Sequence, residues 1–160
     1  MTPHAVSPDD PDLPAILHLI RSAFAPIEGL VHPPSSIHRL TLHHLRSHAT
    51  DGALWAIASP PCATVIATPR TDCLHLGKLA ITPAHRKQGL ARALIDHMAD
   101  HARALGLPRL RLQTRIELTE NHLTFAALGF HETARTAHPG FRRATSITME
   151  RPVSTPAARG

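Results

Sequence analysis

From Ala80 to Gly106 the chain reads AITPAHRKQGLARALIDHMADHARALG. An apolar strand ends at a proline, a basic turn follows, and a long helical pattern opens at Gly89. Leu90, Leu94, Ile95, Met98, Ala102 and Leu105 form one stripe. This predicts a helix from about Gly89 to Leu105, stopped by Gly106. LPRLRLQT, which follows, reads as a strand containing Leu107, Leu110 and Leu112. A strand–helix–strand unit set among further strands and helices limits the chain to an α/β fold with a mixed sheet.

The flanking segments supply those elements. HAV near His4 reads as a short first strand, and Asp12 as the cap of a helix reaching about Ala25, with Leu13, Ile16, Leu17, Ile20 and Phe24 on its apolar face. Ser35 or Ser36 can cap a second helix carrying Ile37, Leu40, Leu42 and Leu45. ALWAIA, CATVIAT and CLHLGKLAIT read as three strands. LTENHLTFAAL reads as a short helix with Thr119 as its cap, and GFHETARTA and ATSITMER as closing strands. In the third strand Leu74 and Leu76 share one parity while Leu79 and Ile81 share the other. Strand side chains alternate faces, so keeping all four on one face needs an extra residue, and a β-bulge is predicted at Gly77-Lys78.

With 160 residues and 42% hydrophobic content, a single domain with its own core is expected. The formal charge of +5 fits either a solvated basic surface or a polyanionic ligand such as a nucleotide. Cys62 and Cys73 make no disulfide framework in a chain of this size, which points to a reducing cytoplasm. The first residues have neither the basic nor the apolar region of a signal peptide, and no apolar run approaches membrane-spanning length. Residues 153–160, rich in Pro, Ala and Gly, read as a flexible tail behind a domain spanning 1–152.

Phosphates bind readily where a helix begins, because unpaired N–H groups and a partial positive charge meet there. Arg86 and Lys87 add charge at that point, and Gly89 permits close backbone approach. RKQGLA therefore reads as a pyrophosphate cradle or as an ordinary strand–helix turn with surface cations. The P-loop and dinucleotide-binding fingerprints are both absent.

LAITPAHRKQGLARAL, followed by TENHLTFAALGF, resembles the central motifs of GNAT acetyltransferases, and the likeness runs from about Asp10 to Pro152. It implies a GNAT-like fold whose mixed sheet, flanked by helices, splays two adjacent parallel strands, here 74–82 and 109–114. It implies acetyl-CoA as donor and direct acetyl transfer to a primary amine of a small molecule, peptide or protein. It places the pyrophosphate on the backbone of Arg86, Lys87, Gln88, Gly89, Leu90 and Ala91. The pantetheine would lie along Leu79, Ala80 and Ile81, with Asn121 and Phe125 also at the cofactor. Dimerisation is common in the family, so a homodimer is a further expectation.

An amine must be neutral to attack a thioester, so a base is useful in the gap. His75, on the splayed strand, is the first candidate, since an imidazole titrates near neutrality. Glu117, just past the next strand, is the second, and His138 is a candidate for the acceptor pocket. Many family members place a tyrosine, thought to protonate the leaving thiolate, where this chain has Phe125, and the chain has no tyrosine at all. Water or Ser146 would have to serve instead. That departure keeps open a second reading, a coenzyme A-binding sensor without catalysis.

Two other classes fit poorly. Only 3% of residues are aromatic, too few for the stacking platform of a single-strand nucleic-acid binder. His44 and His48, and His97 and His101, stand four apart on helices, but HMADH lacks the glutamate of the zinc-protease signature. Both pairs are expected to face solvent, and no metal is expected.

Overall fold

The computed structural model describes residues 2–154. Seven strands, β1 (Pro3–Ala5), β2 (Leu54–Ile57), β3 (Ala63–Pro69), β4 (Leu74–Ile81), β5 (Arg109–Arg115), β6 (His131–Thr136) and β7 (Ser146–Pro152), form one open sheet in the order β1-β2-β3-β4-β5-β7-β6. Every neighbouring pair is antiparallel except β4 and β5. That parallel pair is the one bridged by a helical crossover, as a parallel connection requires. The helices are α1 (Leu13–Phe24), α2 (Leu42–Thr50), α3 (Leu90–Ala104) and α4 (Thr119–Ala127).

The sheet is covered on both faces. Leu94, Ile95, Met98 and Ala102 of α3 are buried against Leu74, Leu76, Leu110 and Leu112 on one face. Ile16, Leu17 and Ile20 of α1, with Leu45 of α2, are buried with Leu54, Ala56, Ile66 and Ala80 on the other. At about 25 cal/mol per Å² of apolar surface, such burial is the main force holding the helices to the sheet.

The bulge lies one residue beyond its expected place. Ile66 pairs with Gly77 and Thr64 with Ala80, so Lys78 and Leu79 together oppose Val65. Lys78, not Gly77, takes the left-handed conformation, at φ 55°. The extra residue does what the parity required: Leu79 and Ile81 pack on the α3 side with Leu74 and Leu76, while Ala80 turns to the α1 side.

Several local expectations are corrected. Asp12 stands at the cap position of α1 but makes no capping bond. Its Oδ2 accepts from Ser59 Oγ at 2.6 Å, and its N–H donates to Asp10 Oδ1 at 2.8 Å. Ser35 caps only a 3-10 turn at 36–39, and α2 starts later, at a capping box of Thr41 and His44. Thr119 lies inside α4, with Leu118 at the cap. His97 and His101 do not simply face water: their rings lie 5.3 and 4.9 Å from the Trp55 ring. The start of the expected flexible tail is docked. Val153 is buried and its N–H donates to Pro108 O at 2.9 Å, while Ser154 O accepts from Arg103 Nε at 2.7 Å. Residues 155–160 lie outside the described residues.

Candidate active site

β4 and β5 pair only at Leu74–Leu110, His75–Arg111 and Leu76–Leu112. Beyond Leu76 the bulge turns β4 away, and the two strands part as a V that opens toward their C-terminal ends. Arg111 stitches the closed end, donating from Nε to Glu150 Oε2 at 2.6 Å and from Nη2 to Asp72 Oδ2 at 3.0 Å. A cavity of about 300 Å³ fills the V.

The cavity passes through the sheet, and side-chain alternation sorts its wall into halves. Leu76, Leu79, Ile95, Leu112 and Phe125 belong to the apolar cluster on the α3 side. Thr114 shares the parity of Leu112, and Asn121 stands one turn before Phe125 on α4, so both belong to that half. On the α1 side the wall carries Phe24, Ser35, His75, Lys78, Arg115 and His138. Ser146 pairs with Arg115 across β5 and β7 and shares its face.

At the mouth of the V, the chain leaves β4 through a 3-10 turn at 83–85 and enters α3 at Gly89. Lys87 and Gly89 are both left-handed, at φ 61° and 77°. Arg86 donates its N–H to Pro83 O at 3.3 Å. Among the described residues, the N–H groups of Lys87, Gln88, Gly89, Leu90 and Ala91 have no acceptor. A Cβ built on Gly89 would meet nothing within 4 Å, so glycine is required there by its φ and not by crowding.

The backbone of β4 past the bulge also faces the gap. Thr82 donates its N–H to Cys62 O at 2.9 Å, which points Thr82 and Ala80 toward β3. In an antiparallel ladder the intervening residues point the other way. The N–H and C=O groups of Leu79 and Ile81 therefore face the open side of the V. Thr114, buried in the wall, has an Oγ1 without a hydrogen-bond partner among the described residues.

The sequence-derived catalytic candidates separate. His75 is half-buried in the wall and makes no hydrogen bond with the described residues. Burial, then the charges of Arg70 and Arg111, hold its imidazole below the ordinary value and so neutral at pH 7. Glu117 is exposed and is not part of the wall. Its Oε2 accepts the His32 N–H at 3.0 Å. Desolvation raises its pKa, but backbone hydrogen bonds from Glu117 and His32 and the charge of Arg115 outweigh this and hold it low. A carboxylate so held is a poor base and a good loop tether. His138 lines the cavity, with its N–H donated to Thr145 Oγ1 at 2.9 Å and its Nδ1 in a short hydrogen bond with the same hydroxyl. Burial, then Arg115, lowers its pKa.

Sequence reasoning passed over Lys78, Arg115 and Thr114. Lys78 is half-buried with its Nζ 5.9 Å from the Phe24 ring centroid, and burial followed by the Arg115 charge pulls its ammonium below the usual range. Its signal was already present in the parity slip, since the extra residue of a bulge re-aims one side chain.

The sequence model of the acetyltransferase (GNAT) family matches residues 14–130. The chain belongs to the GNAT acetyltransferase family. Acetyl-CoA is that family's donor. Among relatives, ribosomal protein bS18-alanine N-acetyltransferase of Escherichia coli K12 is 32% identical over 86 residues. That stretch takes in 52% of this chain and 58% of the relative, so the likeness spans little more than half of such enzymes. The crystal structure of the ribosomal-protein-S18-alanine N-acetyltransferase from Escherichia coli has a TM-score of 0.66 at 24% identity, covering 99% of this GNAT chain and 97% of the other. The PaiA N-acetyltransferase from Thermoplasma acidophilum, in complex with coenzyme A, has a TM-score of 0.77 at 12% identity over 94% and 97%. Both share the fold. Among the described residues no helix is long and apolar enough to cross a membrane.

Proposed function

We propose that this GNAT chain is an acetyl-CoA-dependent N-acetyltransferase that moves the acetyl group directly to a primary amine of a small molecule or peptide. The observation that carries the reading is the run of acceptor-free N–H groups from Lys87 to Ala91 at the mouth of the split sheet. The donor set fits a diphosphate: consecutive amides at a helix start, with the cations of Arg86 and Lys87 beside them. Arg86 contributes its side chain alone, because its N–H is already bonded.

Bound acetyl-CoA supplies an activated thioester. Leu79 and Ile81 present backbone groups with which an extended pantetheine would pair, as an added strand does. The backbone groups of Ala80 are turned to β3 and hold the strand in place. Leu79 N–H is the donor for the thioester carbonyl, and fixed donors aimed at developing charge are a large part of acyl-transfer catalysis. Asn121 and Phe125 close the cofactor half of the cleft. His75, neutral and on the opposite half, takes the proton of the attacking amine, through water where the amine does not reach it. Thr114 Oγ1 is the hydroxyl on the cofactor side available to the departing thiolate, whereas Ser146 stands on the acceptor side. A thiol with an ordinary pKa of about 8.5 leaves tolerably with such help. Cys62 and Cys73 are both buried, which accords with a reducing, cytoplasmic setting.

The second reading, a coenzyme A-binding sensor, draws on Phe125, which has no proton to donate. Calorimetry with acetyl-CoA and thiol release across an amine panel separate the two. The enzyme reading expects binding, turnover of at least one amine, and a large loss in His75→Ala. Tight binding with no turnover on any amine would establish the sensor, and no binding at all would end both.

A further inference from the structure

The acceptor half of the cavity carries cations and no carboxylate. Lys78 and Arg115 line it, and neither Asp nor Glu contributes to the wall. Lys78 is the more telling of the two. Its Nζ sits over the face of Phe24 and forms no ion pair with any described carboxylate. It is held there by a left-handed bulge residue, a conformation that costs a side-chain-bearing residue roughly 1–2 kcal/mol. A half-buried ammonium without a counter-charge is an unfavourable arrangement that a bound anion would relieve.

Arg115 approaches from β5. It donates from Nη1 to Pro33 O at 2.7 Å and from Nη2 to Pro34 O at 3.2 Å, leaving its positive charge without a wall carboxylate. Glu117, whose charge acts on Arg115, lies outside the cavity and is engaged by the His32 N–H. Together these bonds strap residues 32–34 to the C-terminal end of β5. The cavity of about 300 Å³ has room for a small compound. The field inside it repels a polycation and favours an anion.

Resting on the acetyltransferase reading above, we infer that the acceptor is a small amine that also carries a carboxylate, of the amino-acid class, and that Lys78 is the specificity-determining residue that binds the carboxylate. The ammonium then pairs with the anionic end of the acceptor, and the amine end is left toward His75 and the thioester.

The test measures thiol release from acetyl-CoA with free amino acids, the same amino acids as primary amides, spermidine, and a short peptide beginning with alanine. Free amino acids are expected to exceed their amides in kcat/KM. In Lys78→Gln that acid-to-amide ratio is expected to fall by about 10- to 100-fold, the size of one lost hydrogen bond to a charged group. Lys78→Arg, which keeps the cation, is expected to restore most of the ratio. Calorimetry with acetyl-CoA on each variant separates the two levels. Unchanged cofactor binding shows that the variants are folded and that the cofactor reading stands. Loss of cofactor binding by the wild-type protein would remove the acetyltransferase reading itself. Cofactor binding with amides, spermidine or the peptide preferred, with no amino acid turned over, or with an unchanged ratio in Lys78→Gln, would overturn the assignment of Lys78 and leave the enzyme reading intact.

Discussion

Gly89→Asp separates binding from stability at the helix start. Gly89 is the cap residue of α3, at φ 77°, and no side chain caps the N–H groups that follow. An added Cβ meets nothing within 4 Å, so aspartate enters without a clash. Asp and Asn tolerate the left-handed region better than other side chains, and a carboxylate at a helix N-terminus contributes about 0.3–1 kcal/mol through the helix dipole. Net stability is therefore expected to stay within about 1 kcal/mol of wild type, or within about 4 °C in Tm for a domain of this size. Binding moves the other way. A carboxylate about 4 Å from a diphosphate charge is repelled by about 1 kcal/mol at the dielectric of water and about 4 kcal/mol at that of a protein surface. With two phosphate charges, even the lower limit gives about 2 kcal/mol, roughly a 30-fold rise in Kd for acetyl-CoA. Calorimetry at low salt reads this, and added salt is expected to narrow the gap, since exposed charges are screened within about 10 Å at 0.1 M. Gly89→Asn, uncharged and of the same shape, is expected to lose much less. S-acetyl-pantetheine, which lacks the diphosphate, is expected to bind wild type and Gly89→Asp alike. Wild-type affinity for acetyl-CoA in Gly89→Asp, at an unchanged Tm, would refute the cradle.

For His75, kcat/KM is expected to fall on acidification with a midpoint below the ordinary imidazole value of about 6.5, since burial and then the charges of Arg70 and Arg111 hold this base low. His75→Gln is expected to lose about 10²- to 10⁴-fold in rate together with that acid limb; a variant that keeps the limb assigns the base elsewhere. Stability is expected to fall over the same window. His48, His75, His101 and His138 are all held below the ordinary imidazole value, chiefly by burial. The unfolded chain therefore binds protons first as pH drops through about 6.5, which draws the equilibrium toward unfolding. A Tm that is flat or higher at pH 5.5 than at pH 7.5 contradicts this. Glu117→Ala frees the His32 N–H and loosens the strap, so KM for the acceptor is expected to rise while calorimetric acetyl-CoA affinity holds; a change confined to the cofactor would place Glu117 differently. Leu94→Ala removes a fully buried anchor of α3 and is expected to cost about 2–5 kcal/mol, read as a lower denaturation midpoint with unchanged slope.

What the sequence disclosed about the fold was what repeats. The α3 stripe, the apolar strands and the left-handed glycines at 89 and 106 each leave a periodic or conformational mark in the chain. The parity slip between Leu76 and Leu79 disclosed the bulge, and by propensity glycine is its natural occupant. The structure spends the left-handed conformation on Lys78 instead, and local propensity gave no sign of that. The run of acceptor-free N–H groups from Lys87 to Ala91 was legible because its members are consecutive in sequence. On the opposite half of the cavity the sequence pointed to His75 and His138 but not to Phe24, Lys78 and Arg115, which join them only after separate elements have packed. Glu117 misled for the same reason: its partner, the His32 N–H, lies 85 residues away.

The bulge links these two kinds of information. One extra residue in β4 keeps Leu79 and Ile81 on the α3 face, which the core requires. The same residue bends β4 off β5, which opens the V and frees one edge of the strand for an extended ligand. It also swings the Lys78 side chain over Phe24 into the opposite half of the cavity. Core packing, the free edge of β4 and a cation of the cavity wall therefore depend on a single insertion. Deleting Lys78 would restore regular alternation, and it is expected to cost more than either half of the site alone. Leu79 would turn out of the core, and β4 would be free to zip onto β5 past Leu76. A chain that lacked Lys78 yet kept both its Tm and its affinity for acetyl-CoA would show that the split in the sheet has another origin.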